Sequence, residues 1–148
     1  MDRAPQSYAD LSAKIVRDHP DDWRGWVARL HAPTLPEEER KQAAEHAMNL
    51  APAETEVIRV AASVAAIEGR WTDARELGVR AWLRGASSIS DRVNLSVASA
   101  ELGRCAEIRS WTPTSADDQR AFAAALDRMW GALNLAALPC AMPPVPRQ

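Results

Sequence analysis

The chain has 148 residues, a mass of 16.2 kDa, a formal net charge of −2 at pH 7 and a pI near 5.9. A chain of this length can form one packed core without disulfides or metals, and it is too short for a multidomain enzyme that carries its own cofactor fold. Its near-neutral charge excludes the electrostatic footprint of a general nucleic-acid-binding protein.

The composition predicts an all-α protein. About one residue in five is alanine and only 5% are aromatic, which favours closely packed helices over sandwiches and barrels. Hydrophobic periodicity, capping residues and prolines predict eight helices in chain order, at residues 7–18, 21–31, 36–49, 55–68, 71–84, 90–102, 104–111 and 116–137. The expected N-caps are Ser7, Thr55, either Ser88 or Ser90, and Ser115.

The last predicted helix has the pattern of a helix that closes an array. Its apolar stripe consists of Phe122, Leu126, Met129, Trp130, Leu133 and Ala137. We therefore expect residues 1–138 to form a single helical domain. Residues 139–148 are rich in proline and are expected to form a disordered tail.

Two spacings indicate an internal repeat. The dipeptide Gly-Arg at 69–70 recurs at 103–104, and this interval matches the period of helix-turn-helix solenoids. Pro20 and Pro52 each follow a predicted helix, and the interval between them is only slightly shorter. The predicted fold is therefore a short right-handed solenoid of antiparallel helix pairs, about three units long, with a C-terminal closing helix.

Residues from about 20 to 110 resemble tetratricopeptide repeats. Four features of that family occur here: small residues where helices approach, a turn glycine, an aromatic residue after it, and a helix-ending proline. The matching residues are Ala62, Ala74 and Ala81, then Gly69 and Gly103, then Trp71, and finally Pro20 and Pro52. The resemblance implies a curved stack whose concave side binds another protein.

A narrower resemblance covers residues 40 to 132. One full repeat, a shortened repeat and a final helix follow one another there, and this order is similar to that of the small cytoplasmic chaperones of bacterial type III secretion that hold the needle subunit. The resemblance implies that the groove binds the amphipathic C-terminal helix of a needle or other secreted subunit. It also implies a second small helical chaperone as a further partner.

The first helix of each pair is expected to line the groove. Counting from the prolines and turn glycines, the predicted partner-binding residues are Arg24, Val27, Arg59, Ser63, Ala66, Ile67, Val93, Asn94, Val97 and Glu101. Most of them are small or apolar, which suits the apolar face of an amphipathic helix. The alternative is that Val27, Val93 and Val97 are core residues beneath helix 116–137, folded back over the groove.

Two further function classes stay open beside the chaperone: a general scaffold or adaptor, and a small enzyme, which we rank last. His19, His31 and His46 have no metal-ligand spacing, so no metal or other cofactor is expected. A Cys–His nucleophile pair is not expected, because Cys105 is predicted to be a buried, inert thiol between helices. The six tryptophans are predicted to pack between helices, with Trp23 and Trp111 the most exposed.

The sequence favours a cytoplasmic location. The residues at the start of the chain have no apolar segment typical of a secretory signal. The most apolar stretch, 121–138, contains Asp127, Arg128 and Asn134, which argues against a membrane span. Two cysteines are too few for a disulfide scaffold, which indicates a reducing compartment.

Overall fold

A computed structural model describes residues 7–32, 35–131 and 140. Within these residues the regular elements are eight α-helices and one 3₁₀ turn, with no strand. The helices are α1 (Tyr8–Asp18), α2 (Trp23–Leu30), α3 (Glu37–Leu50), α4 (Thr55–Ile67), α5 (Trp71–Trp82), α6 (Ile89–Glu101), α7 (Ile108–Trp111) and α8 (Ala116–Trp130), and the 3₁₀ turn is Cys105–Glu107. The predicted all-α class is confirmed.

The helices pack as pairs in chain order. α2 packs with α3, α4 with α5 and α6 with α7, and the pairs join through α3 against α4 and α5 against α6. The first helices of the pairs also contact each other, α2 with α4 and α4 with α6. α8 packs on α6 at one end of the stack, and among the described helices α1 contacts only α2 at the other. This is the expected arrangement of about three units with a closing helix.

The last predicted helix and the tail are only partly covered by the described residues. α8 ends at Trp130, and residues 132–139, including Leu133 and Ala137 of the predicted stripe, lie outside them. Phe122 and Leu126 of that stripe are buried, whereas Met129 is 38% exposed. Of the predicted tail, Cys140 alone is described, and it is buried rather than free of contacts.

The turns after α4 and α6 share one backbone geometry, which the turn at Gly85 after α5 also has, so it marks helix ends and does not by itself show the repeat. Gly69 and Gly103 have φ angles of 72° and 70°. In both turns the N–H after the glycine donates to the carbonyl five residues before it at 2.8 Å, and the glycine N–H donates to the carbonyl three residues before it. This pair of hydrogen bonds is the Schellman motif, which ends a helix at a left-handed residue.

The prolines mark a second repeated ending. The residues before them, His19 and Ala51, have nearly the same backbone angles, φ −135° and ψ 65° against φ −144° and ψ 63°. Each donates its N–H to the carbonyl four residues earlier, at 2.8 and 2.9 Å. α1 and α3 therefore end in the same way.

Three of the predicted N-caps are confirmed and one is wrong. The side chains of Ser7 and Ser115 accept the N–H three residues later, and Ser88 forms a full capping box with Asp91. Thr55 is not a cap, because it is already the first residue of α4. The cap position is occupied by Glu54, whose side chain makes no capping hydrogen bond.

Small residues let α4, α5 and α6 approach one another. One buried cluster is formed by four alanines, namely Ala65 and Ala66 of α4, Ala74 of α5 and Ala98 of α6. Gly78 lies where α5 meets α6, and a Cβ atom placed there would be 2.7 Å from Cδ2 of Leu95. The predicted small faces of these helices are therefore their close contacts.

Gly69 gives a test of the repeated turn. A Cβ at this glycine would meet no heavy atom within 4 Å, so the left-handed φ of 72°, and not lack of space, is what favours glycine. We expect Gly69→Val to lower the free energy of unfolding by about 1–2 kcal/mol in urea denaturation, since β-branched residues are strained at positive φ. The control is Ala53→Val, at an exposed position without positive φ. Equal stability of the two variants would contradict the left-handed backbone conformation assigned to Gly69.

Candidate functional site

Half of the predicted partner-binding residues are buried in the core. The buried ones are Val27, Ala66, Val93, Asn94 and Val97, with relative exposures from 0% to 8%. These five cannot contact a partner, so their assignment to an open groove is wrong. Ala66 belongs to the alanine cluster between α4, α5 and α6.

The closing helix is the reason that α6 offers no open groove. Val93 and Val97 of α6 pack against Phe122, Ala125 and Leu126 of α8. The alternative that α8 folds back over these valines is therefore correct for α6. A Val97→Asp substitution consequently reports on folding and not on binding, because it places a carboxylate in a cluster where the valine is 0% exposed.

Val27 is buried for a different reason. It contacts Ala47 of α3 and Val57 of α4, and Trp23, Trp26 and Val60 pack around them. The cluster joins the first pair to the second and contains no residue of α8 among those described. Val27 is thus a core residue, as the alternative supposed, but it does not lie beneath the closing helix.

One stripe of α4 remains accessible between α2 and α6. It consists of Glu56, Arg59, Val60, Ser63 and Ile67, which recur at helical spacing along one side, and we call it the α4 face. Three of the predicted residues, Arg59, Ser63 and Ile67, lie on it. Glu101, at the end of α6, is also partly exposed.

The middle of the α4 face is a polar network. The Nε of Arg59 donates to both carboxylate oxygens of Asp91, at 3.1 and 3.2 Å, and its Nη1 donates to Glu56 at 2.8 Å. Nη2 donates to the hydroxyl of Ser88 at 3.3 Å. Burial lowers the pKa of Arg59, but Asp91 and Glu56 more than offset this and raise it. The guanidinium therefore ties α4 to the start of α6.

A second polar contact continues along the same side. The Nδ2 of Asn94 donates to the hydroxyl of Ser63 at 3.2 Å, which links α4 to α6 one turn further on. Beyond it, Ile67 is 58% exposed at the end of α4. The α4 face therefore has a polar centre whose groups bind one another and an apolar end that is open to a partner.

Arg24 lies apart from the α4 face. Its Nε and Nη2 donate to the two carboxylate oxygens of Asp22 at 3.0 and 2.8 Å, and its backbone N–H donates to the same side chain. These hydrogen bonds from Arg24 lower the pKa of Asp22 to about 2. Asp22 and Arg24 together cap the exposed start of α2. This role within the chain explains the position of Arg24, and no partner protein is needed for it.

The tryptophans pack between helices, as predicted, but the two expected to be exposed are not. Trp111 is 8% exposed, its ring is 5.1 Å from that of Trp82, and its Nε1 donates to the Ser99 hydroxyl at 3.0 Å. Trp23 is half-buried against the Val27 cluster. The short helix α7 folds back onto α6, and this brings Trp111 inside.

The prediction of a buried, inert thiol at Cys105 is wrong. Cys105 and Cys140 form a disulfide across 35 residues of sequence, and Cys140 lies in a cluster with Ala100 and Ile108. Cys105 is also exposed rather than buried, so the expected inert thiol between helices is not present. Because disulfides persist in oxidising compartments, the cysteines no longer favour a reducing one.

The disulfide closes a long loop, and its removal should cost stability. In the chain-entropy model, a loop of 35 residues stabilises the folded state by about 3–4 kcal/mol. We expect a reductant to lower the free energy of unfolding in urea by this amount, and Cys105→Ser to show the same loss without further response to reductant. An unchanged unfolding midpoint in reductant would contradict a closed disulfide.

A carboxylate next to this disulfide joins three elements. Glu107 accepts two hydrogen bonds from Arg75 of α5, at 2.8 and 2.7 Å, and one from Arg104 at 3.1 Å. The Ser99 hydroxyl of α6 is 3.3 Å from the same carboxylate. The hydrogen bonds from Arg75 are the main cause that lowers the pKa of Glu107, and Arg104 adds to them.

Glu107 therefore makes stability depend on pH. A lowered pKa in the folded state stabilises the fold above the ordinary glutamate pKa of about 4.3, and this contribution is lost as the pH falls through the folded pKa. We expect Glu107→Gln to be less stable by about 1–2 kcal/mol at pH 7, with the gap closing in acid. Urea unfolding at several pH values measures this difference in the free energy of unfolding. The control is Glu76→Gln, at an exposed position. A gap that persists in acid would contradict this role.

One surface was missed by the sequence analysis. Tyr8, Leu11 and Ile15 of α1 are 49%, 44% and 43% exposed and lie on one side of the helix. Their i, i+3, i+7 spacing was a readable signal of a common face. Apolar residues at this spacing usually belong to the core, so the spacing alone does not reveal that the face is exposed.

A groove between α3 and α5 was also not foreseen. These two helices do not contact each other, and a cavity of about 400 Å³ lies between them over Ala61 of α4. Its walls combine the apolar Met48 and Leu77 with charged Lys41 and Arg70. The mixed lining does not define a ligand of one chemical class.

Comparison of the chain with protein-family models, curated proteins and solved structures gives no match. In the part of the chain that the structure describes, no group of three or more His, Cys, Asp or Glu side chains could hold a metal ion. None of the described helices has both the length and the hydrophobicity needed to cross a bilayer. The function is therefore argued from the surface of the stack.

Proposed function

We propose that the chain is a non-catalytic protein-binding module that holds an amphipathic helix of another protein on the α4 face. The observation that carries the proposal is Ile67, a large apolar side chain that is 58% exposed at the end of α4. A partner helix covering it would remove apolar surface from water, which is the main favourable term in association.

The polar groups of the α4 face set limits on such a partner. Arg59 and Ser63 already bind Asp91 and Asn94, so a helix laid across them must offer small or polar side chains at its centre. Next to Ile67 the same helix must offer an apolar side chain. This is an amphipathic helix whose apolar residues gather towards one end.

Within this class we propose the needle-subunit chaperone of type III secretion as the particular function. Support comes from the order of one full repeat, a shortened repeat and a closing helix, which the packing of α4 to α8 matches. In the cytoplasm, where this chaperone would work, the reducing pool is expected to keep Cys105 and Cys140 open. The proposal therefore concerns the reduced form, and a small co-chaperone is a further expected partner.

A general scaffold or adaptor is the second candidate. Its support is that the disulfide between Cys105 and Cys140 fits an oxidising compartment better than the cytoplasm. A scaffold would use the same α4 face, so the two candidates differ in the identity of the bound helix and in the redox state that binds it.

The test uses a synthetic peptide of the amphipathic C-terminal helix of the needle-type subunit encoded nearest to this chain's gene. We expect fluorescence anisotropy to show binding by the reduced protein. Ile67→Asp should weaken it about tenfold or more, because one large buried apolar side chain contributes about 1.5–3 kcal/mol. The control is Leu83→Asp, which alters an 80% exposed leucine at the end of α5.

Each outcome bears on one part of the proposal. Equal binding by the Ile67→Asp and Leu83→Asp variants would remove the α4 face as the site. Binding by the disulfide-closed form alone would contradict a cytoplasmic chaperone and favour the scaffold. The absence of binding in both redox states would contradict the needle-subunit assignment.

A further inference from the structure

The closing helix α8 is held by a single neighbouring helix. Among the described helices it lies beside α6 alone, whereas α4 contacts α2, α3, α5 and α6. On α6, Val93 and Val97 pack against Phe122 of α8. The contacts with α6 are therefore the main non-covalent attachment of α8 to the stack.

Trp130, the last residue of α8, reaches beyond α6 at a cost. Its ring lies 5.5 Å from that of Trp71, and it packs against the alanine cluster between α4, α5 and α6. Its Nε1 is buried, and in the described part of the chain no acceptor binds it. A buried donor without an acceptor is destabilising, and it recovers a hydrogen bond when it returns to water. To that extent, undocking of α8 is favoured.

The disulfide is a second, covalent attachment. Cys105 precedes α8 in the chain and Cys140 follows it, and Cys140 packs with Ala100 of α6 and Ile108 of α7. A cross-link around a segment removes conformational freedom that the undocked segment would otherwise gain. The closed disulfide therefore opposes undocking of α8, in addition to the contacts with α6.

The two ends of the disulfide differ in their access to solvent. Cys105 is exposed on the 3₁₀ turn, whereas Cys140 is 4% exposed. A thiolate of a dithiol reductant can therefore attack Sγ of Cys105, and Cys140 leaves with the electron pair of the S–S bond and takes up a proton. The second thiol of the reductant then displaces Cys105 from the mixed disulfide. The reductant ends as a disulfide, and the chain carries two thiols.

We propose that the disulfide is a redox switch on α8, and that its reduction lets α8 leave α6 so that a partner helix binds there. The surface that α8 then uncovers contains Val93, Val97 and Trp71. Trp71 also packs against the alanine cluster that contains Ala66, the residue before Ile67. The uncovered surface therefore adjoins the apolar end of the α4 face. The inference rests on the proposed function, because it concerns the opening and the extent of the same site.

The side chains of α8 define the partner that fits this surface. Phe122, Ala125 and Leu126 pack on α6, and Trp130 extends the same stripe by one turn. A partner helix therefore needs large apolar residues at positions i, i+4 and i+8 and a small residue at i+3. With the disulfide closed, α6 offers no surface to such a helix. With the disulfide open, a helix bound at Ile67 gains further apolar contacts on α6.

Limited trypsin digestion of the full chain measures undocking, because α8 contains exposed Arg120 and Arg128 and must leave the stack to be cut. We expect a dithiol reductant to speed cleavage at both sites on the order of a hundredfold, which is the effect of opening a loop of this span. Arg59 of α4 and Arg75 of α5 should stay uncut while α8 is lost. The control is the chain with a methylene bridge between the two sulfurs, which a reductant does not open and which should keep the slow rate.

The digestion decides for or against the switch. An unchanged rate of cleavage in α8 on reduction would overturn it. Cleavage of α4 and α5 at the same time as α8 would also overturn it, because the reduced chain would then unfold as a whole. So would a methylene-bridged chain that is cut as fast as the reduced one, because the link between the sulfurs would not be what holds α8.

The α8 helix itself provides a probe for binding on α6. We expect the reduced Phe122→Asp chain to leave α6 uncovered and to bind a labelled peptide of residues 116–131 in fluorescence anisotropy. The peptide with Phe122→Asp should bind at least about tenfold more weakly, since a large apolar side chain loses its contact. The control peptide carries Ala124→Asp, which adds the same charge at an exposed position. Leu126→Ala, a milder change at the same contact, replaces Phe122→Asp in the chain if that variant does not fold.

Equal binding of the Phe122→Asp and Ala124→Asp peptides, or no binding of the unsubstituted peptide, would overturn docking on α6. The switch and the proposed function also fail separately. Ile67→Asp alters the α4 face and should leave the response of α8 to reductant unchanged. Reduction-dependent cleavage of α8 without binding of the needle-type peptide would support the switch and contradict the needle-subunit assignment. Equal binding of that peptide by the reduced and the methylene-bridged chains would confine it to the α4 face and overturn the role of the switch in opening the site.

Discussion

The close approach of α4, α5 and α6 at small side chains is the constraint on which the rest of the molecule depends. Alanines from all three helices meet in one buried cluster, and Gly78 leaves room for Leu95 where a methyl group would collide. Short distances between helices increase the number of dispersion contacts for each buried residue. They also bring Arg59 within reach of Asp91, so the polar network on α4 follows from the alanines below it.

The two ends of the stack are finished differently. At the C-terminal end, α8 covers the valines of α6, and the disulfide holds Cys140 against α6 and α7. At the N-terminal end, α1 leaves Leu11 and Ile15 in water. Repeat proteins usually need a polar outer surface at their terminal units. The surfaces that remain for partners are consequently at the open end and on α4, and not on α6.

Features that depend on a few neighbouring residues were readable from the sequence. Gly69 and Gly103 predicted their turns because a left-handed residue must follow the helix, and Ser7, Ser88 and Ser115 predicted helix starts through a bond to their own chain. The N-cap predicted at Thr55 was displaced by one residue, since Glu54 occupies the cap position. Local chemistry therefore determined the number and order of the helices.

The candidate site depended on contacts that are distant in sequence, and here prediction was poorer. Val93 and Val97 suit an apolar groove and an apolar core equally well, and only the position of α8 decides between them. Ile67 and Arg59 were placed correctly on the surface, but the partner of Arg59 is far along the chain, in α6, and has no local signal. The pairing of Cys105 with Cys140 likewise joins positions that are far apart in sequence and has no local signal.

That pairing also encloses α8 completely within a covalent ring. If the molecule were stretched from its two termini, the segment between Cys105 and Cys140, a sequence separation of 35, could not contribute to its final length, which would be shorter by about 110 Å than that of the reduced chain. A translocation channel that passes a single extended polypeptide would encounter two strands side by side at the disulfide. The closing helix is thus the part of the molecule that extension alone cannot straighten.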